Sequence, residues 1–131
     1  MPATLTITDQ TTAGHTTGET VLEFLTESIT LRELIRSRVY QEVQDYNRNQ
    51  PEYFCGLVEP TNGERTLNGT RLRKGREVDW KQQFDQACQA FVRNGFFVLV
   101  DNRQAESLDE QIILRPGTSV SFVKLTPLVG G

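Results

Sequence analysis

TVLEFLTESITLRELIRSRV, residues 20–39, holds a strand, a turn and the start of a capped helix, and its reading decides the fold. Thr20 to Leu25 reads as a β-strand of apolar and β-branched residues. Thr30-Leu31-Arg32-Glu33 is a capping box, in which the Thr hydroxyl and the Glu carboxylate each satisfy a free backbone N–H. Leu31, Ile35, Val39 and Val43 then recur at every fourth position, with Leu34 and Tyr46 alongside, an apolar stripe aimed at a core. The helix should fade near Asn47 to Asn49, because Pro51 forbids a smooth continuation.

Working outward, Ala3 to Thr8 alternates threonine with apolar residues, the period of a strand. With Thr20–Leu25 it predicts an N-terminal hairpin with a rather long Thr/Gly loop over Thr11–Glu19. Downstream, Glu52 to Arg76 is punctuated by Pro60, Gly63, Gly69 and Gly75, with turn dipeptides at Asn62-Gly63 and Asn68-Gly69. It reads as an ordered insertion with a hairpin or loop, Tyr53–Val58 offering a short strand. Asp79 caps a second helix whose apolar face is Trp80, Phe84, Ala87, Cys88 and Phe91, and Asn94-Gly95 ends it. Phe96 to Val100 is short and unbroken in its apolarity, the mark of a central strand covered on both faces. A turn at Asp101–Gln104, a short turn or strand around Leu108 and Ile112–Leu114, and a type II turn at Arg115-Pro116-Gly117-Thr118 lead to a last strand, Ser119 to Leu125. The expected class is α+β: one mixed sheet with the first helix packed across it, a second helix and an inserted loop or hairpin.

The size of 131 residues suits one domain, 1–131, with an insertion at about 51–78 and a C-terminal tail at 126–131. A hydrophobic content of 37% against 24% charged residues excludes a disordered chain. The net charge of −3 argues against nucleic acid as a partner, and no apolar stretch has the length to span a membrane. Met1 to Gln10 lacks the basic and apolar regions of a signal peptide, which points to the cytoplasm and to reduced thiols at Cys55 and Cys88. His15, the one histidine, falls in the Thr/Gly turn, and two cysteines with one histidine give no metal-ligand spacing. Arg71, Arg73, Lys74 and Arg76 read as a solvated basic loop, with docking of an acidic partner or RNA as the alternative, and Glu106, Asp109 and Glu110 as a solvated acidic turn, with steering of a basic partner as the alternative.

The chain ends Pro127-Leu128-Val129-Gly130-Gly131. Two glycines without Cβ atoms let backbone enter a narrow channel, which suits a protein whose own carboxylate is the reactive group. Three segments together resemble the ubiquitin-like β-grasp proteins, in particular the MoaD/ThiS-type sulfur carriers and bacterial ubiquitin-like modifiers. These are Leu22–Val39, with Thr before a Leu-x-x-Leu-Ile helix; Val98–Asp101 with Leu108–Leu114; and Arg115–Gly131, with a Gly turn, a Val-x-Phe strand, a proline, an apolar pair and Gly-Gly. The sequence departs from the family in its long 52–76 insertion and in a slightly longer run from Val123 to Pro127.

The resemblance implies a β-grasp fold and an acyl-carrier role. The chain would not be an enzyme and would bind no cofactor. ATP would be used by a partner adenylating enzyme to convert the Gly131 carboxylate into an acyl-adenylate. Gly130 and Gly131 would enter that enzyme's channel, Leu128 and Val129 would anchor behind them, and Pro127 would lower the ordering cost. Further partners would be conjugating and deconjugating enzymes, or a sulfurtransferase or synthase. Two rival readings stand beside it: a β-grasp module that binds partners non-covalently through its sheet face, and an independent enzyme using Cys55 or Cys88.

Overall fold

The computed structural model describes residues 3–60, 63–66, 69–72 and 77–125. The expected α+β class holds. A five-stranded mixed sheet has the order β2-β1-β9-β6-β7, with β1 (Ala3–Thr11), β2 (Thr16–Phe24), β6 (Phe96–Val100), β7 (Arg103–Gln104) and β9 (Val120–Lys124). β1 and β2 form an antiparallel hairpin, and β1 and β9 run parallel, an arrangement consistent with a β-grasp-like topology. The helices are α1 (Leu31–Asn49) and α2 (Trp80–Val92). Two short antiparallel pairs complete the described elements: β3 (Ser28–Thr30) with β8 (Gln111–Ile113), and β4 (Glu64–Thr66) with β5 (Gly69–Arg71). The chain groups into two compact units, one up to Leu34 and from Phe91 onward, the other Ile35–Ala90.

In the sheet-bearing unit, period-2 alternation sorts the side chains. Leu5, Ile7, Leu22, Phe24, Phe96, Val98, Val120 and Phe122 are buried on one face. Phe91, Phe96 and Phe122 form a row of tilted rings with centroids 5.8 and 6.0 Å apart. β6 is an interior strand as expected, paired with β9 on one side and β7 on the other, while β9, flanked by β1 and β6, is the middle strand of the five. In β6 only Phe96 and Val98 are fully buried, while Phe97 and Leu99 on the other face stay half-buried. An apolar run therefore meant one buried face and one partly covered face, not burial on both.

The N-terminal hairpin is tighter than its Thr/Gly content suggested. β2 begins at Thr16, and the turn closes with Thr11 N–H to the His15 carbonyl and Gly14 N–H to the Thr11 carbonyl, both 2.9 Å. Gly14 takes φ +86°, where a side chain would be strained. A register shift opposite Asp9 and Gln10 absorbs Thr17, whose hydroxyl bonds the Asp9 carbonyl. At the far side of the sheet, Asp101 and Asn102 hold φ of 51° and 67° between Val100 and Arg103, the two-residue hairpin geometry that wants glycine second. Asn102→Gly should therefore raise stability by about 0.5–1 kcal/mol, read as an upward shift of the thermal midpoint.

Thr30 caps α1 as expected, its Oγ1 accepting from Glu33 N–H at 3.1 Å. The Leu31 and Arg32 N–H groups donate to the carbonyls of Glu110 and Leu108, so the segment before β8 satisfies two more of the helix's free donors. At the other end Gln50, at φ 45°, bonds the Tyr46 carbonyl and closes the helix just before Pro51. Asp79 caps α2, its Oδ1 accepting from Lys81 N–H at 3.0 Å. Asp79→Ala should cost about 1 kcal/mol in chemical denaturation. Asn94 rather than Gly95 takes the left-handed position after α2, at φ 61°.

The second unit holds the insertion, and it is tied down by polar bonds. Arg38 is 2% exposed and donates to Glu42 Oε1 at 2.7 Å, while Glu42 Oε2 accepts from Leu57 N–H at 3.0 Å. Asn47 exchanges two hydrogen bonds with the Val78 backbone, and Gln83 donates to the Val58 carbonyl. The Tyr53–Val58 strand shrinks to one residue: Phe54 pairs with Thr70 through two backbone bonds and stacks edge-on to Tyr46. Gly69 is required there, because a Cβ would lie 2.9 Å from the Phe54 carbonyl and φ is +130°. Trp80 is half-buried rather than a core residue, with Tyr40 edge-on at 5.3 Å and the Arg36 guanidinium over its ring.

Candidate functional site

The predicted reactive end, Gly131, and its recognition residues Gly130, Val129, Leu128 and Pro127 lie outside the described residues. What is described is the root from which they extend. Lys124 closes β9 opposite Thr11 of β1 and Phe96 of β6. The root thus leaves the middle of the sheet, held by a ladder on each side. Because β9 runs parallel to β1 and antiparallel to β6, the root lies at the sheet end that carries the β1–β2 turn and the α2–β6 connection. Leu125, the first residue past the strand, is 41% exposed, and Val92, at the end of α2, is 68% exposed.

Beside the root lies the outer face of the sheet. One row across it is Gln10, Val123 and Phe97; the next is Thr8, Ser121, Leu99 and Gln104. The Thr8 and Ser121 hydroxyls bond each other at 2.9 Å, which lets a serine stand almost buried in the central strand. Phe97, Leu99 and Val123 are all half-buried, so an apolar strip continues from the root across β9 and β6. The sequence reading did not single these residues out. The threonine alternation of β1 carried the signal, since it marks which sheet face meets water.

An open cleft of about 430 Å³ borders β6, lined by Phe91, Phe96, Phe97, Gln104, Ser107 and Arg32. Arg32 and Asp109 pair across its rim at 3.3 Å, both exposed, an interaction worth about 0–1 kcal/mol. The acidic turn is thus partly engaged: Asp109 with Arg32, and Glu110 with Arg103 at 3.8 Å and with the Glu106 N–H.

The other side chains noted from sequence fall as follows. His15 is exposed in the hairpin turn, Cys55 is exposed, and Cys88 is half-buried on α2. Arg71 belongs to strand β5, not to a loop, and donates to Tyr53 and Glu52. The Tyr53 hydrogen bond raises its pKa further, so this cation keeps its proton at any ordinary pH. Arg73, Lys74 and Arg76 lie outside the described residues. Among the described residues no group of three or more His, Cys, Asp or Glu side chains is placed to hold a metal ion. No described helix is long and apolar enough to cross a membrane.

In comparisons with known proteins, no family model, curated protein or solved structure matches the chain.

Proposed function

We propose that the chain is a ubiquitin-like β-grasp carrier whose Gly131 carboxylate is activated by a partner adenylating enzyme. The observation that carries this reading is a conjunction. The sheet order β2-β1-β9-β6-β7 has its C-terminal strand parallel to β1 at the centre, and Gly130-Gly131 follow that strand within a short tail. A central strand fixed by two ladders is a rigid mount for a slender end that must be threaded into another protein.

The chemistry follows from the poor reactivity of a carboxylate. A Gly131 oxygen attacks the α-phosphorus of ATP, pyrophosphate leaves, and the acyl-adenylate forms in the partner's site. A thiolate then attacks the acyl carbon and AMP leaves. If the thiol belongs to a conjugating enzyme, a lysine amine displaces it and an isopeptide bond results. If the nucleophile is instead the outer sulfur of a partner's persulfide, an acyl disulfide forms as AMP leaves. A second thiol then attacks the partner's own sulfur in that bond, which releases a thiocarboxylate on Gly131 and leaves a disulfide in the partner. In both cases this chain supplies the acyl group and the docking face, and the partner supplies the catalysis. The protein is assigned to the cytoplasm, where ATP and reduced sulfur donors are available.

The test is intact mass after incubation with ATP and the adenylating enzymes of the source cell. Replacement of one oxygen by sulfur indicates a sulfur carrier, and attachment to a second protein through Gly131 indicates a modifier. An unchanged mass, with Gly131→Ala fully active in cells, would leave the second reading. That reading is a non-covalent module docking through Phe97, Leu99 and Val123, and the half-buried apolar strip favours it.

A further inference from the structure

β2 ends the sheet. It pairs with β1 on one side, and among the described residues no strand pairs with its other side. A nine-residue edge strand offers a row of backbone N–H and C=O groups to any extended chain that can lie beside it. Proteins commonly protect such an edge with lysine, proline or a covering loop. Here the outer-face side chains of β2 are Glu19, Val21 and Glu23, opposite Thr8, Thr6 and Thr4 of β1, with Leu25 next in line. All four are exposed, Val21 at 59% and Leu25 at 89%. Among the described residues neither glutamate has a cationic partner.

These charges decide what can occupy the edge. A second copy pairing antiparallel about Val21 would set Glu19 of one chain opposite Glu23 of the other, twice. An in-register parallel copy would set each glutamate beside itself. Like charges directly opposite are destabilising, so the edge resists self-association. A strand with the opposite pattern gains at the same positions: a basic residue facing each glutamate and an apolar one facing Val21.

We infer that the free edge of β2 takes up an extended segment of a protein partner by strand addition, the segment carrying Lys or Arg two residues before and two residues after an apolar side chain. Backbone pairing supplies the register, and alternate side chains supply the selectivity. This holds whether or not Gly131 is the reactive end, because it uses the β2 edge of the sheet, whereas the root of the tail leaves from β9 in its middle.

Peptides built on Lys-Thr-Val-Thr-Lys, and the same peptides N-methylated on the residues that would donate to β2, test it. Nuclear magnetic resonance titration of the full chain should show amide shifts and exchange protection concentrated on Thr16–Phe24. N-methylation should weaken binding at least about tenfold, because it deletes the backbone donors and leaves the charges. The double variant E19K/E23K should reverse the preference by about tenfold toward a Glu-Thr-Val-Thr-Glu peptide. Its own fold is checked by unchanged shifts outside β2. Equal binding of the methylated peptide, shifts mapping away from β2, failure of the charge swap to reverse the preference, or dimers formed through β2 without peptide would each overturn the inference.

Discussion

On the proposed carrier reading, Gly130→Val will slow formation of the Gly131 acyl-adenylate by about a hundredfold or more, a barrier increase of roughly 2.7 kcal/mol, while the thermal midpoint stays where it was. The rate term comes from reach and shape. Adenylation requires a carboxylate oxygen in line with the α-phosphorus, and a misplacement of about 1 Å can cost two orders of magnitude. A branched Cβ at Gly130 restricts the backbone angles next to the reacting group and widens the segment that must enter the channel. The stability term comes from position. The sheet's ladders to the central strand run through Lys124, ahead of the substituted residue. Adenylate formation is read by pyrophosphate release at matched concentrations, and stability by calorimetry. A variant that turns over normally would remove the carrier reading, whereas a variant that is slow and also unstable would place the tail inside the packed body.

How far the sequence was legible differs between elements for physical reasons. α1 and α2 were readable because each carries a long apolar stripe and a side-chain cap, Thr30 and Asp79, which act locally. β3 was not, since three residues are too few to show a period, and its partner Gln111–Ile113 lies far along the chain. The true length of β2 was masked because Thr16, Thr17 and Gly18 continue a Thr/Gly stretch without apolar alternation; threonine itself favours strands, and an exposed edge strand tolerates the glycine because little packs on it. β6 was legible as an interior strand, but not that the middle place in the sheet belongs to β9. Phe96–Val100 carries apolar side chains on both faces, while β9 places Ser121 on its outer face and satisfies it with Thr8. A polar residue in a central strand is affordable when a neighbouring hydroxyl completes it, and that neighbour is more than a hundred residues away in sequence. The candidate site divides in the same way. The tail is legible only as sequence, in its glycines, whereas the outer face beside its root exists only once β1, β9 and β6 are side by side.

Phe122→Ala will be among the most damaging single truncations in the sheet-bearing unit, costing about 3–5 kcal/mol and lowering the thermal midpoint by on the order of 10–20 °C. Phe122 is fully buried, its ring lies 6.0 Å from that of Phe96, and its backbone sits between Asp9 and Val98 in the central strand. Truncation loses the transfer free energy of an aromatic ring and leaves a hole that two ladders hold open. Val123→Ala is the matched control: one residue away, on the half-buried outer face, it should cost under about 1.5 kcal/mol. The pair also separates two ways of losing carrier activity. If β9 serves as the rigid mount for Gly131, Phe122→Ala should reduce adenylation only as far as it populates unfolded chain, and cooling should restore the rate. Val123→Ala, stable throughout, should weaken docking and raise the KM for this chain with little change in kcat, because it alters the surface beside the root and leaves the tail intact. Should Val123→Ala lower kcat and leave KM alone, the outer face would have to act in the chemical step rather than in recognition.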